Sequence, residues 1–273
     1  MPSRFKLYRW TRVIGVLAFS LFHALTGALA HTQDLRVAAA ADLQFAMEDL
    51  VAKYQAKTRQ PVEVVYGSSG NFFVQIQNGA PFDLFFSADV AFPAKLVERG
   101  LADQQSLYCY ALGRLAVWAD PDEHLNVSTK GFQSLLDPRV RKIAIANPEH
   151  APYGKAAIAA LERAGVLDQI KSKLVYGENI SQAAQLVQSR NAQAGIIALS
   201  LATSSAMQNG DRWVVPAKFH PPLEQSLVLL SASKHKRAAA DFLEFVKSAE
   251  GRQILVQYGF NPDSSATPGG TNP

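Results

Sequence analysis

Val62-Glu63-Val64-Val65-Tyr66-Gly67-Ser68-Ser69-Gly70-Asn71-Phe72-Phe73-Val74-Gln75-Ile76-Gln77-Asn78-Gly79 is the stretch on which the fold turns. Residues 62–66 form a short β-branched and aromatic run, the pattern of a strand. Residues 67–71 are a Gly/Ser turn, and 72–78 read as a helix closed by Asn78-Gly79. Strand, turn and helix in that order aim backbone N–H groups, two hydroxyls and a helix N-terminus at one point. The unpaired first-turn N–H groups and the helix dipole favour negative charge there. No Lys or Arg lies in the turn, so the implied partner is an oxyanion held by neutral dipoles.

The same rhythm runs outward in both directions. A strand at 35–40 precedes a helix at 43–59, and a strand at 83–87 precedes a helix at 92–99, giving a βαβαβα run. The middle of the chain repeats it with strands at 142–146, 174–176 and 195–198 and helices at 153–164 and 180–189. A strand at 226–230 and helices at 236–247 and 251–258 close the chain. Alternating strands and helices call for mainly parallel sheets with helices on both faces. The reading is therefore an α/β protein of two similar lobes joined by a hinge that the chain crosses twice, near 108–114 and near 217–224. Pro216, Pro221 and Pro222 stiffen the second crossing. Lobe I takes 31–110 and 222–262, lobe II takes 111–221, and the Ser/Pro/Gly-rich segment 263–273 is expected to be a disordered tail.

The first thirty residues read as a targeting segment. Arg4, Lys6, Arg9 and Arg12 precede an apolar run from Val13 to Leu25 and the small-residue site Ala28-Leu29-Ala30. The run is short for a bilayer span, so a signal peptide cleaved after Ala30 and a periplasmic destination are expected. Four of the 27 basic residues and none of the 23 acidic ones lie in 1–30, leaving 23 of each sign beyond it. The basic balance of the whole chain thus belongs to the leader and argues for no nucleic-acid or membrane partner. Cys109 is the single cysteine, which excludes an internal disulfide and thiolate clusters; its apolar neighbours suggest a buried, inert thiol.

Four turns between a strand and a helix are placed to line the cleft between the lobes: Ala40-Ala41-Asp42, Ser68-Ser69-Gly70, Ala151-Pro152-Tyr153-Gly154 and Glu178-Asn179-Ile180. Open α/β sheets bind ligands beyond the carboxyl ends of their strands. Around these turns the chain resembles the periplasmic molybdate-binding proteins of ABC transporters, within the type II periplasmic-binding-protein fold. The resemblance covers about residues 35–260. It is carried by Val37-Ala38-Ala39-Ala40-Ala41-Asp42-Leu43, Gly67-Ser68-Ser69-Gly70, Gly79-Ala80-Pro81-Phe82-Asp83, Asn147-Pro148-Glu149-His150-Ala151-Pro152-Tyr153-Gly154, Gly177-Glu178-Asn179-Ile180 and Tyr258-Gly259-Phe260. It implies a tetrahedral oxyanion, molybdate or the nearly isosteric tungstate, held by Ala41, Asp42, Ser69, Tyr153 and Ile180, with Ser68 and Gly70 in support. It also implies delivery to a transmembrane permease by a protein that is no enzyme, uses no cofactor or metal beyond the ion itself, and is expected to be a monomer.

Two positions depart from the family pattern. Ala198 stands where some members supply a tyrosine, a hydroxyl that the Pro-Tyr-Gly subgroup would take from Tyr153. Asp42 stands where relatives offer Ser, Thr or Asn. A carboxylate facing a dianion is repulsive, since two unit charges at 4 Å cost about 4 kcal/mol at an effective dielectric of 20. Either Asp42 caps the helix that follows and offers only its main chain, or it accepts a proton from a protonated oxyanion. The second option shifts the ligand toward phosphate or arsenate, with sulfate a further tetrahedral alternative.

Other classes fit less well. A hydrolase or transferase using the same cleft would need a serine on a strained elbow, and Gly67-Ser68-Ser69-Gly70 lacks the Gly-x-Ser-x-Gly spacing. His150 is thus read as a surface or hinge-side hydrogen-bonding residue. A metal-ion site would need Tyr66, Tyr110 and Tyr153 to converge, and no His/carboxylate cluster of ligand spacing accompanies them.

Overall fold

The computed structural model describes residues 34–261; the leader expected over 1–30 and the tail expected over 263–273 lie outside them. The chain opens with β1 (Leu35–Ala40), α1 (Gln44–Thr58), β2 (Val62–Gly67), α2 (Ser69–Gln77), β3 (Leu84–Ser87), α3 (Ala91–Glu98) and β4 (Tyr108–Gly113). It continues through β5 (Leu115–Ala119), α4 (Val127–Lys130), β6 (Ile143–Ala146), α5 (Pro152–Arg163), α6 (Leu167–Ile170), β7 (Leu174–Gly177), α7 (Ile180–Gln188), β8 (Ala194–Ala198), α8 (Leu199–Ala202) and β9 (Asp211–Val214). It then returns with β10 (Leu223–Leu229), α9 (Lys236–Lys247) and α10 (Ala249–Gln257).

Among the described residues, ten strands form two five-stranded sheets, ordered β2-β1-β3-β10-β4 and β7-β6-β8-β5-β9. The two orders are the same pattern twice, three strands from βαβ units followed by two from the crossings. The sheets are mixed rather than mainly parallel. β1 pairs in parallel with β2 and β3, and β6 with β7 and β8, whereas β10 runs antiparallel to β3 and β4 and β5 antiparallel to β8 and β9. Parallel neighbours need a helical crossover. The crossing strands enter their sheets from the opposite lobe without one, so they pair antiparallel.

The chain leaves the first sheet after Gly113 and enters the second at Leu115, a one-residue crossing at Arg114. The apolar stretch from Leu107 to Trp118 is therefore two strands in two lobes. The return lies between Val214 and Leu223.

Period-two alternation in β1 sorts side chains to both faces of the first sheet. Leu35, Val37 and Ala39 pack with Met47, Leu50 and Phe242 under α1 and α9. Ala38 joins Phe72, Phe85 and Leu96 under α2 and α3. The second lobe buries Val117, Ile143, Ile145, Leu161, Ile196 and Ile197. Each such Leu, Ile or Phe contributes about 1.5–3 kcal/mol by leaving water, which suits a chain that lacks a disulfide. Cys109 on β4 is half-buried rather than buried, with Sγ 3.8 Å from the Ala111 carbonyl oxygen.

One further difference bears on the site. α2 begins at Ser69, with Ser68 as its extended N-cap residue. Ser69 and Gly70 are thus the first turn of the helix rather than part of the loop before it.

Candidate functional site: an anion cavity between the lobes

The carboxyl ends of β1, β2, β6 and β7 meet at a small cavity lined by residues 40–42, 67–69, Ala88, 151–153 and 179–180. The structure brings Ala41, Asp42, Ser69, Tyr153 and Ile180 together on this wall, with Ser68 among them. Gly70 lies outside the lining, its N–H donating across the cleft to the His150 carbonyl at 2.9 Å.

The donors follow from local backbone chemistry. The Ser69 hydroxyl oxygen accepts the Ala88 N–H at 2.9 Å, which leaves the Ser69 O–H proton available to a ligand. Pro152 opens α5 with a fixed φ and no N–H, so Tyr153 presents that helix's first donor. Asn179 caps α7 by accepting the Gln182 N–H at 3.0 Å, and the earlier N–H of Ile180 has no intrahelical partner. Three helix starts thus surround a cavity whose lining contains no Lys, Arg or His. Neutral donors on rigid turns stabilise a desolvated anion without leaving an unpaired cation behind when it departs.

Hydrogen bonds tie the two lobes together around the cavity. The Ser68 hydroxyl donates to the His150 carbonyl oxygen at 2.6 Å, the Ser181 hydroxyl to that of Ala41 at 2.8 Å, and the Ser200 hydroxyl to that of Asp42 at 2.8 Å. At the rim, the Asn71 amide donates to Glu178, and the His150 ring sits 3.2 Å from the same carboxylate. Ser68 is therefore a bond between lobes. The His150 ring turns toward Glu178 and away from any serine, so no serine–histidine pair exists here.

Asp42 is not a helix cap. The three-residue turn 41–43 and α1 both start without a side-chain cap bond. The carboxyl instead reaches across the cleft. Its Oδ2 accepts the Tyr153 O–H at 3.0 Å from lobe II and a Gln225 amide N–H from β10. Gln225 also donates to the Tyr153 oxygen at 2.9 Å and accepts the Tyr110 O–H at 2.8 Å. Asp42 is 1% exposed, and its Oδ1 meets no donor among the described residues. Burial raises the carboxyl from 3.8 to about 6, against the pull of the bonds from Gln225 and Tyr153. Burial likewise pushes the Tyr110 and Tyr153 phenols well above 10, with the nearby Asp42 charge adding to both.

Local sequence patterns carry no sign of Gln225, Ser181, Ser200 or Ala88 as parts of this site. Tyr110 and Tyr153 do meet at Gln225, whereas the Tyr66 hydroxyl points to the Gln44 carbonyl oxygen at 3.4 Å. No group of three or more His, Cys, Asp or Glu able to hold a metal occurs among the described residues.

Residues 35–261 match the family model of bacterial extracellular solute-binding proteins. The chain belongs to that family. This solute-binding protein is 38% identical to the molybdate-binding protein ModA of Rhodobacter capsulatus, over 82% of this chain and 86% of that one. It is 34% identical to ModA of Azotobacter vinelandii, over 89% and 96%. The solved Azotobacter vinelandii periplasmic molybdate-binding protein superposes with a TM-score of 0.79 at 32% identity, covering 83% of this chain and 98% of that one.

Proposed function

We propose that this solute-binding protein captures molybdate, with tungstate as an isosteric substitute, in the periplasm and delivers it to the permease of an ABC transporter. The observation that carries this is the donor set: the Ser69 O–H and the starts of α2, α5 and α7 converge on a cavity lined by no cationic side chain. Such a set matches an ion that is fully deprotonated and needs only donors. Relatives of the same architecture named for molybdate support the choice of ion. The working form is a monomer without cofactor, released after cleavage behind Ala30. The ion bridges donors of both lobes, which gives it higher affinity for the closed arrangement and drives closure.

Titration calorimetry of the mature chain with molybdate, tungstate, sulfate, phosphate and arsenate tests the reading. Molybdate and tungstate are expected to bind tightest. Ser69→Ala removes one hydrogen bond to a charged ligand, about 1.5–3 kcal/mol, or roughly 10- to 100-fold in Kd. Phosphate binding tighter than molybdate overturns the choice of ion. Turnover of a phosphate or sulfate ester in the same cleft overturns the class.

A second reading has one observation behind it. The buried carboxyl of Asp42 on the cavity wall offers an acceptor to a protonated oxyanion such as hydrogen phosphate, and the same panel separates the two.

A further inference from the structure

We propose that Asp42 is the specificity-determining residue of the cavity: in the closed, ion-bound state its Oδ1 carries a proton and donates it to an oxygen of the oxyanion, so capture of a fully deprotonated dianion takes up one proton from solvent. This rests on the oxyanion reading above and adds to it the protonation state of the site.

The two carboxyl oxygens of Asp42 have different surroundings. Oδ2 is saturated, accepting from Tyr153 and Gln225. Oδ1 is buried and meets no donor among the described residues, on a residue that lines the cavity. An ionised carboxylate in that position would leave one lone-pair-bearing oxygen against the ion, with no counter-charge to separate them. A carboxylic acid protonated at Oδ1 turns the same atom into a donor, the chemistry of every other group around the cavity. The proton has one place to go, because both donors already hold Oδ2.

The groups that face Asp42 from the neighbouring elements do not offer a substitute charge. Tyr153 on α5 and Tyr110 on β4 are neutral phenols held neutral by burial. Gln225 on β10 and Ser200 on α8 are uncharged. Asp89, after β3, and Cys109 bear on Tyr110 and are not among the groups that set the Asp42 carboxyl. Burial already lifts the Asp42 carboxyl to about 6, and a dianion alongside raises it further. Two of the groups that shield it, Tyr153 and Ser200, come from lobe II, so closing the cleft and protonating Asp42 favour each other.

The balance is simple. One H⁺ from buffer adds to the Asp42 carboxylate, no other bond changes, and carboxyl plus dianion carry two negative charges rather than three. Above the carboxyl's free-state range, one proton taken up per ion makes Kd rise tenfold per pH unit.

The experiment is molybdate titration of the wild-type mature chain at pH 6.5–8.5, in buffers of differing ionisation heat that report the protons bound. Near one proton per ion at pH 7.5–8.5, with Kd rising about tenfold per unit, is the expected result. Asp42→Asn, which places an amide and its N–H donor in the same space, is expected to take up none. Its Kd should be flat with pH and tighter than wild type at pH 8.5. A wild-type chain that binds molybdate with no proton uptake and a flat Kd overturns the inference while leaving the function standing. So does an Asp42→Asn variant that keeps the uptake. The wild-type proton count decides even where the variant fails to fold. A chain that binds none of molybdate, tungstate, sulfate or phosphate refutes the function and this inference together.

Discussion

Asp42 is the residue at which chain-local reasoning and the folded molecule part. Its neighbours along the chain point to a helix cap, yet its side chain is held by Tyr153 and by Gln225, the latter 183 residues away. Burial gives it a signature in stability as well as in binding. The folded carboxyl sits at about 6 against an ordinary 3.8, so between these values the native state holds more protons than the unfolded one. Stability from this group is fully present below about pH 3.8 and is lost as pH rises through about 6, in total about 3 kcal/mol. Urea unfolding of the ligand-free chain at pH 4.5 and 7.5 reads this directly. Asp42→Asn is expected to gain on wild type as pH rises, by up to about 3 kcal/mol, because the amide does not ionise. Equal pH dependence in the two proteins would place the carboxyl in water.

At the scale of the element, the starts of α5 and α7 were legible in the residues themselves, whereas α2 starts at Ser69, three residues before the start read from the sequence. Pro152 at the first position of α5 and Asn179 before α7 are local signals, because proline stereochemistry and the Asn179 cap act within a few residues of chain. The crossing strands were not legible. β4 and β5 lie in one apolar stretch, 107–118, and β9 is Asp211-Arg212-Trp213-Val214, half of it charged and without an apolar strand pattern. β10 includes a register shift between Gln225 and Ser226 against β4; such irregularities re-aim side chains, and here Gln225 meets Tyr110, Tyr153 and Asp42. Gly113, on the facing strand, gives that cluster its space: a Cβ there would lie 2.4 Å from the Tyr153 hydroxyl oxygen and 2.6 Å from the Gln225 amide nitrogen. Gly113→Ala is therefore expected to cost about 1–3 kcal/mol by overpacking and to free the Asp42 carboxyl from one or both of its donors. A lowered melting temperature together with a changed pH dependence of ion binding would record both effects.

At the scale of the whole molecule, the two lobes are joined by hydroxyl and amide contacts rather than by a shared apolar core alone. Ser68, Gly70, Asn71, Ser181 and Ser200 all donate to the opposite lobe. Gly70 is a close backbone approach between the lobes, since a Cβ at that position would lie 2.5 Å from the His150 carbonyl oxygen. Gly70→Ala leaves lobe I intact, and alanine favours the helix by about 1 kcal/mol over glycine. The added methyl instead obstructs closure. Ion affinity is expected to fall at least tenfold while the melting temperature of the ligand-free chain stays the same or rises. Small-angle scattering is expected to show less contraction on adding ion than for wild type. Full contraction with unchanged affinity would mean that the lobes close without this contact.

The residues alone determined the α/β class, the four turns between strand and helix, and the neutral donors that those turns present. These depend on side-chain period, Pro and Gly stereochemistry and capping, all of which act within a few residues. Only the tertiary structure decided that the sheets are mixed, that Ser68 on the cavity wall and Gly70 beyond it bind the opposite lobe, and that Asp42 shares a buried cluster with Tyr110, Tyr153 and Gln225. Those outcomes depend on which strand lies beside which and on how the lobes meet. Burial, not chain neighbourhood, sets the charge of a carboxyl.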